Sequence, residues 1–517
     1  MLVQHFLEYY ARNTPDLPCL TQHGKTTSFG EVNALANRVA NGLLTLGVEK
    51  GQRVAILGEN SLQHLLLFMG AGKIGAVTVS LNYRLTPAEL GFIIRDSETR
   101  ALLALEGMQD SMAGLDELLP PETVILTQGN GTGLNWEDWL ADQADTPPGI
   151  TVDPQDAFLQ LYTSGTTGNP KGVVSSHFNF ISLNTMNNIA SPSRANAGMA
   201  GIICAPLFHI GGAGSVVFGI FSGMETLLHR AFDPVQVVED IENHQVCNVF
   251  MVPAMIMAIL QLPDIEQRDF SKLSQIFYGA SPISETVLRR AVEVFECDFI
   301  QMYGMTETTG TVVNLTADDH RRALAGKPEL LRSCGRPSVG AEVRVVDPEG
   351  NELPRGEIGE IWLRADTNMQ CYYNLPDATA ANLTDGWVHT GDAGYMDEEG
   401  YLYLKDRMKD MVVSGGENIY PVEVENALAR HESVADVAVI GVPDDKFGEA
   451  LLAFVVLKPG ASLHTEEMVD FCRDKIAGYK IPRQLEIVDE LPRNPSGKIL
   501  KKILREPYWS GTQRGIG

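Results

Sequence analysis

Thr163-Ser164-Gly165-Thr166-Thr167-Gly168-Asn169-Pro170-Lys171-Gly172 gathers hydroxyls, glycines and one lysine in a single short segment. That combination suits a polyphosphate. Glycines let backbone N–H groups approach an anion, the hydroxyls add donors, and Lys171 supplies charge. The segment directly follows the apolar run Phe158-Leu-Gln-Leu161. The pattern GxxxxGK[ST] cannot be laid onto it, so any phosphate cradle here is of another kind than the Walker loop. The charge on Lys171 matters because the chain is acidic: 40 Lys and Arg stand against 66 Asp and Glu, a net charge of -26. A broad positive surface for nucleic acid or anionic membrane is excluded, and any anionic ligand must be held by a few local cations.

The elements that must position this loop have an α/β texture. Ser28-Phe-Gly-Glu31 reads as a capping box opening a helix through Val39, Leu43 and Leu44 to a stop at Gly47. A strand follows at Arg53–Leu57, then a helix carrying Leu65 to Met69, then a strand at Ala76–Ser80. Gly70-Ala-Gly-Lys-Ile-Gly75 matches GxGxxG but follows a helix and precedes a strand, the reverse of a dinucleotide fingerprint, so it reads as close helix packing. Residues 210–228 are almost uncharged but rich in glycine, which predicts a buried α/β segment rather than a membrane span. Between about 335 and 405, short strands such as Glu342–Val346 and Glu360–Arg364 alternate with turns and predict a small β-barrel-like subdomain. Beyond it, a helix from Pro421, strands at Val437–Ile440 and Leu452–Val456, and a helix after Thr465 predict a compact α+β unit.

At 517 residues the chain is too long for one core. The expected division is a large N-terminal α/β domain over 1–408 and a small C-terminal domain over 409–517. Seven scattered cysteines without CxxC spacing predict neither a disulfide framework nor a zinc site. With no signal peptide in the first residues, a cytoplasmic location is expected. GxSxG and HExxH are absent.

The phosphate segment is followed, in order, by Tyr303-Gly-Met-Thr-Glu307, Thr390-Gly-Asp392, Arg407 with Lys409, and Pro495-Ser-Gly-Lys498. With these strings the chain resembles the superfamily of acyl-CoA synthetases, peptide-synthetase adenylation domains and firefly luciferases, over nearly its whole length. The resemblance implies ATP, Mg²⁺ and coenzyme A as ligands, and a small-molecule carboxylic acid as substrate. It implies that Thr163, Ser164, Gly165, Thr166, Thr167, Gly168 and Lys171 hold phosphates and that Glu307 holds Mg²⁺ through a hard carboxylate oxygen. Thr306 would donate to the α-phosphate. Tyr303 offers a flat face to adenine beside the small residues Gly279, Ala280 and Ser281. Asp392 and Arg407 would bridge the ribose hydroxyls. Lys498 would enter the site to contact the carboxylate and the α-phosphate, where charge builds during in-line attack.

Lys409 matches the family's hinge, where many relatives carry Asp. Gly415 and Gly416 would line a pantetheine tunnel after the C-terminal domain rotates. His209, in Pro206-Leu-Phe-His-Ile-Gly-Gly-Ala-Gly214, falls where the family places a gate near the carboxylate. The glycines 211, 212 and 214 could widen an acyl pocket or serve packing, and the sequence does not choose.

The expected reaction is AMP-forming acyl-CoA synthesis through an acyl-adenylate on a medium- or long-chain fatty acid. Aryl, cyclic or steroid-derived acids are the alternatives, as is loading of a carrier protein. An amino-acid activator is disfavoured because no Asp stands beside Phe208-His209. A luciferase-like oxygenase and a nucleotide-binding sensor share the skeleton, but Lys171, Glu307, Asp392, Arg407 and Lys498 are all retained, as an active enzyme requires. A homo-oligomer is compatible with all of these readings.

Overall fold

The computed structural model describes residues 1–115, 118–129, 131–163, 169–190, 197–281, 283, 285–407, 410–414, 417–444, 447–473, 475–493 and 499–509. The chain packs as two compact units. The first comprises Met1–Leu331, Gly335–Glu342 and Leu363–Val388, and the second Arg332–Cys334, Val343–Trp362 and His389–Gly517. Part of the β-rich segment, Val343–Trp362 and the residues from His389 onward, groups with the C-terminal residues.

Two large sheets build the first unit. One has eight strands, and six of them run parallel: Ala157–Thr163, Val77–Leu81, Arg53–Leu57, Thr99–Ala104, Val124–Thr127 and Leu134–Asn135. The other has nine, of which Asp298–Met305, Gln275–Gly279, Val246–Met251, Ala200–Ile203, Glu225–Leu228 and Pro18–Gln22 are parallel. Parallel strands need crossover connections, and the sequence supplies them as helices that cover the sheets. The helix Phe29–Thr45 opens on the predicted capping box, with Ser28 accepting from the Glu31 N–H and Glu31 accepting from the Ser28 N–H. It packs on Leu62–Ile74, in which Leu65, Leu67, Phe68 and Met69 are buried. Burial of each such side chain contributes about 1.5–3 kcal/mol, far more than helix propensity does, so this helix is fixed by its surroundings.

The glycines of the 70–75 motif serve helix packing. A Cβ at Gly70 would stand 2.6 Å from Val39 Cγ1 and one at Gly72 3.0 Å from the Phe158 ring, while Gly75 forms the left-handed C-cap with φ 70°. Residues 210–228 form a helix, Ile210–Ser222, and a strand, Glu225–Leu228, both within the first unit. Among the described residues no helix is long and apolar enough to cross a membrane. All seven cysteines are free thiols.

In the second unit, residues 392–396 of the strand Trp387–Met396 pair antiparallel with Leu402–Arg407 within a small sheet. The C-terminal part follows the predicted α+β order. Helices Pro421–Leu428 and Thr465–Arg473 cover a sheet in which Val434–Asp444 and Gly448–Leu457 pair antiparallel around Val439, Ala453 and Val455.

Candidate active site

The phosphate segment is flanked by two strands that pair with each other. The strand Ala157–Thr163 turns back as Lys171–Ser176, and Thr163 stands opposite Lys171 in the antiparallel register. The loop therefore leaves the C-terminal end of a strand in a mainly parallel sheet, the end at which open α/β sheets bind ligands. Ser164, Gly165, Thr166, Thr167 and Gly168 lie outside the described residues. Lys171 makes no ion pair among the described residues. Its Nζ sits 4.8 Å from the centre of the Tyr372 ring.

Tyr372 also fixes the other charged group of the site. Its phenolic O–H donates to Glu307 Oε1 at 2.9 Å. Burial first, and the Glu307 carboxylate second, push the phenol well above its ordinary range, so it stays a donor at neutral pH. Glu307 is itself buried, and its carbonyl accepts from the Met369 N–H at 2.7 Å. One aromatic ring thus has the lysine on its face and the glutamate at its hydroxyl. Tyr372 was not singled out from the sequence. It arrives because Cys371–Tyr372 adds as a short strand beside the one that begins at Lys171, with Tyr372 opposite Val173.

Thr306 and Glu307 occupy a single 3-10 turn, Thr306–Thr308, after the strand Asp298–Met305. The chain then reverses through Thr309, at φ 51°, and pairs back from Gly310. A Cβ at Gly304 would lie 1.8 Å from the Gly310 carbonyl oxygen, so no other residue fits there. Thr309 is tied to the phosphate hairpin, its Oγ1 2.9 Å from Ser175 Oγ. Tyr303, half-buried, lies one position beyond Met302, which pairs with Gly279 at the C-terminal end of Gln275–Gly279. Gly279 leaves no room for a side chain, since a Cβ would meet the Met302 carbonyl oxygen at 2.2 Å. Ala280 follows in the left-handed region at φ 66°, a conformation that costs a non-glycine residue about 1 kcal/mol or more and clusters at functional sites. Ala280 is exposed and Ser281 half-buried as the chain leaves the sheet. The structure therefore brings together, in the first unit, Thr163 with Lys171 at the hairpin, and the Gly279–Ser281 and Tyr303–Glu307 segments.

His209 stands at the N-cap position of the helix Ile210–Ser222. Burial, reinforced by Arg84, lowers its pKa to about 4, so the ring is neutral at pH 7. Its Nε2 has no hydrogen-bond partner among the described residues. From this point the helix lines a cavity of about 160 Å³ with Ile210, Gly211, Gly214, Ser215, Phe218 and Gly219. The opposite wall includes Phe250, Phe277 and Met302, and the cavity reaches Ala280, Gly304 and Gly310. The glycine question is resolved residue by residue. Gly211 and Gly214 line the cavity, whereas Gly212 serves packing, because a Cβ there would stand 2.2 Å from the Pro206 carbonyl oxygen.

His64 and His177 are held near pKa 3, and His320 near 4, each chiefly by burial. With His209 they remain neutral in the folded chain while their unfolded counterparts protonate near pH 6.5. The unfolded state then binds more protons, and stability falls as pH drops from about 6.5 toward 4. Thermal midpoints should decline already between pH 6.5 and 5, before ordinary carboxylates titrate. A midpoint constant over that interval would contradict the neutral assignments.

In the second unit, Asp392 is buried on the strand Trp387–Met396, and its backbone N–H donates to Thr390 Oγ1 at 3.0 Å. It stands directly opposite Arg407 in the antiparallel register. The Arg407 side chain lies outside the described residues, as do Lys409, Gly415, Gly416 and Lys498.

This chain belongs to the AMP-binding enzyme family. Residues 7–373 match the family itself and residues 423–498 its C-terminal domain. It is 38% identical over 513 residues to the fatty acid–[acyl-carrier-protein] ligase ScoC of Streptomyces coeruleorubidus, covering 98% of this chain and 96% of that one. It is 37% identical over 504 residues to a feruloyl-CoA synthase of Amycolatopsis, covering 96% and 97%. The structure of o-succinylbenzoate CoA synthetase from Bacillus subtilis, in complex with its acyl-adenylate intermediate, superposes with a TM-score of 0.85 at 30% identity, covering 96% and 97%. The reaction class is therefore ATP-dependent, AMP-forming acyl ligation.

Proposed function

We propose that the protein joins a ring-bearing or medium-length carboxylic acid to coenzyme A through an acyl-adenylate. The observation that carries the substrate reading is the apolar cavity beside the Tyr303–Glu307 segment, about 160 Å³ in volume. A cavity of about 150 Å³ accommodates a single benzene ring, so one ring or a folded medium-length chain fits better than a long fatty chain. The relative named for feruloyl-CoA is in keeping with that reading.

In the first step Lys171 and the hairpin loop hold the ATP phosphates, Thr306 donates to the α-phosphate, and Tyr303 with Gly279, Ala280 and Ser281 receives adenine. Asp392 and Arg407 take the ribose hydroxyls. Glu307 suits Mg²⁺: it is a buried carboxylate already oriented by Tyr372, and no group of three or more acidic, His or Cys side chains makes an all-protein cage among the described residues. Mg²⁺ is commonly bound by one or two carboxylates plus substrate phosphates, and there it neutralises phosphate charge. The acid's carboxylate attacks the α-phosphorus and pyrophosphate leaves, with Lys498 neutralising the two approaching anions. His209, being neutral, borders the carboxylate without trapping it as an ion pair. The C-terminal domain then turns about Lys409, Gly415 and Gly416 admit the pantetheine arm, and the thiol displaces AMP.

A second reading is favoured by the relative named as an acyl-carrier-protein ligase: the acceptor thiol is then that of a carrier protein. Mg-ATP, coenzyme A and a panel of octanoate, phenylpropanoates and palmitate, followed by mass spectrometry, separates the two. Acyl-CoA is expected from the first two acid types and much less from palmitate. Acyl-adenylate and pyrophosphate without acyl-CoA would move the carrier protein into first place.

A further inference from the structure

The far end of the acyl cavity is polar. Thr226, Gly201 and Asn248 stand in one row across three adjacent parallel strands, with Gly201 paired to Thr226 on one side and to Asn248 on the other. All three line the cavity together with Met224 and Gly219. The row lies near the N-terminal ends of its strands, whereas Ala280 and Met302 border the cavity at the C-terminal ends of theirs, where the nucleotide segments are. It is therefore remote from the point of carboxylate activation.

Thr226 and Asn248 are only 3% and 7% exposed, and their side chains make few hydrogen bonds. Asn248 Nδ2 reaches only sulfur acceptors, Met224 Sδ at 3.6 Å and Cys247 Sγ at 3.5 Å. Among the described residues its Oδ1 and the Thr226 hydroxyl have no hydrogen-bond partner. Both polar groups border space kept open by glycines: a Cβ at Gly201 would stand 2.9 Å from Asn248 Oδ1, and one at Gly219 2.7 Å from Thr226 Oγ1. Buried polar groups of this kind need a partner, and an apolar acyl end would leave them dry and unpaired.

We infer that Thr226 and Asn248 select acids that carry a hydroxyl at the end remote from the carboxylate, a phenol or a terminal alcohol. A hydroxyl both donates and accepts, so it can donate to Asn248 Oδ1 or accept from the Thr226 O–H. An unsubstituted acid must either strand both groups or leave a water trapped beneath it. This rests on the ligase reading above.

The test is a pair of matched competitions, 3-(4-hydroxyphenyl)propanoate against 3-phenylpropanoate and 8-hydroxyoctanoate against octanoate, followed as kcat/KM for acyl-adenylate formation. Wild-type enzyme is expected to favour the hydroxylated member of at least one pair by about tenfold or more. Asn248→Leu and the near-isosteric Thr226→Val should each erase or reverse that ratio while raising kcat/KM for the unsubstituted acid, with thermal midpoints confirming the fold. Equal or better use of the unsubstituted acids by wild type, or an unchanged ratio in a folded variant, would overturn the inference and leave the ligase reading standing. Failure of every acid to give adenylate would sink both.

Discussion

Lys498→Ala is expected to slow acyl-adenylate formation by about a hundred- to a thousandfold or more, the scale seen when one charge-stabilising donor is removed from a transition state. Two anions meet in that step, the carboxylate and the α-phosphate, in a protein whose net charge is -26. Few cations offset them, so loss of one is costly. The second half-reaction has a neutral or thiolate nucleophile attacking an adenylate already formed, and Lys498 has no comparable charge to stabilise there. Preformed acyl-adenylate should therefore still be converted to thioester. Single-turnover assays of each half-reaction measure the split. Equal losses in both would remove Lys498 from the adenylation step.

Glu307→Gln should lower adenylate formation by about a hundredfold or more while leaving the fold intact, because the amide keeps the shape and can still accept from Tyr372 but has lost the charge that suits a hard cation. Tyr372→Phe removes only the orienting donor. Hydrogen bonds to charged groups are worth about 1.5–3 kcal/mol, which corresponds to a loss of roughly ten- to a hundredfold if the orientation is needed fully in the transition state. Both variants should require more Mg²⁺ for half-maximal rate, a shift that a purely structural role for Tyr372 would not produce. Near wild-type activity of Glu307→Gln at low Mg²⁺ would refute the assignment.

What could be read from the sequence was local. The capping box at Ser28 and Glu31 spans four residues, and the helix it opens runs over Phe29–Thr45. The phosphate segment suggests its chemistry by composition, whereas the roles expected of the Tyr303–Glu307 string come only with the family resemblance. The order of the motifs along the chain supplied the family resemblance that the match over 7–373 and 423–498 bears out. Other features depended on register. Tyr372 and Glu307 are 65 residues apart, and only the pairing of Cys371–Tyr372 beside Lys171–Ser176 brings them together. Gly201, Thr226 and Asn248 are unremarkable in sequence and become the end of a cavity because three strands align them. The roles of Gly211, Gly212 and Gly214 likewise separate only when Phe250 and the Pro206 carbonyl are in place. Packing also groups Val343–Trp362 and the residues from His389 onward into one unit, which no composition change at a single position announces.

Activation of the acid through an adenylate requires that ATP be cleaved between its α- and β-phosphates. Quantifying the nucleotide products during turnover with Mg-ATP, coenzyme A and an accepted acid tests it most directly. One AMP and one pyrophosphate are expected for each acyl-CoA formed, with no ADP. ADP with orthophosphate, or AMP in the absence of any acyl product, would contradict it.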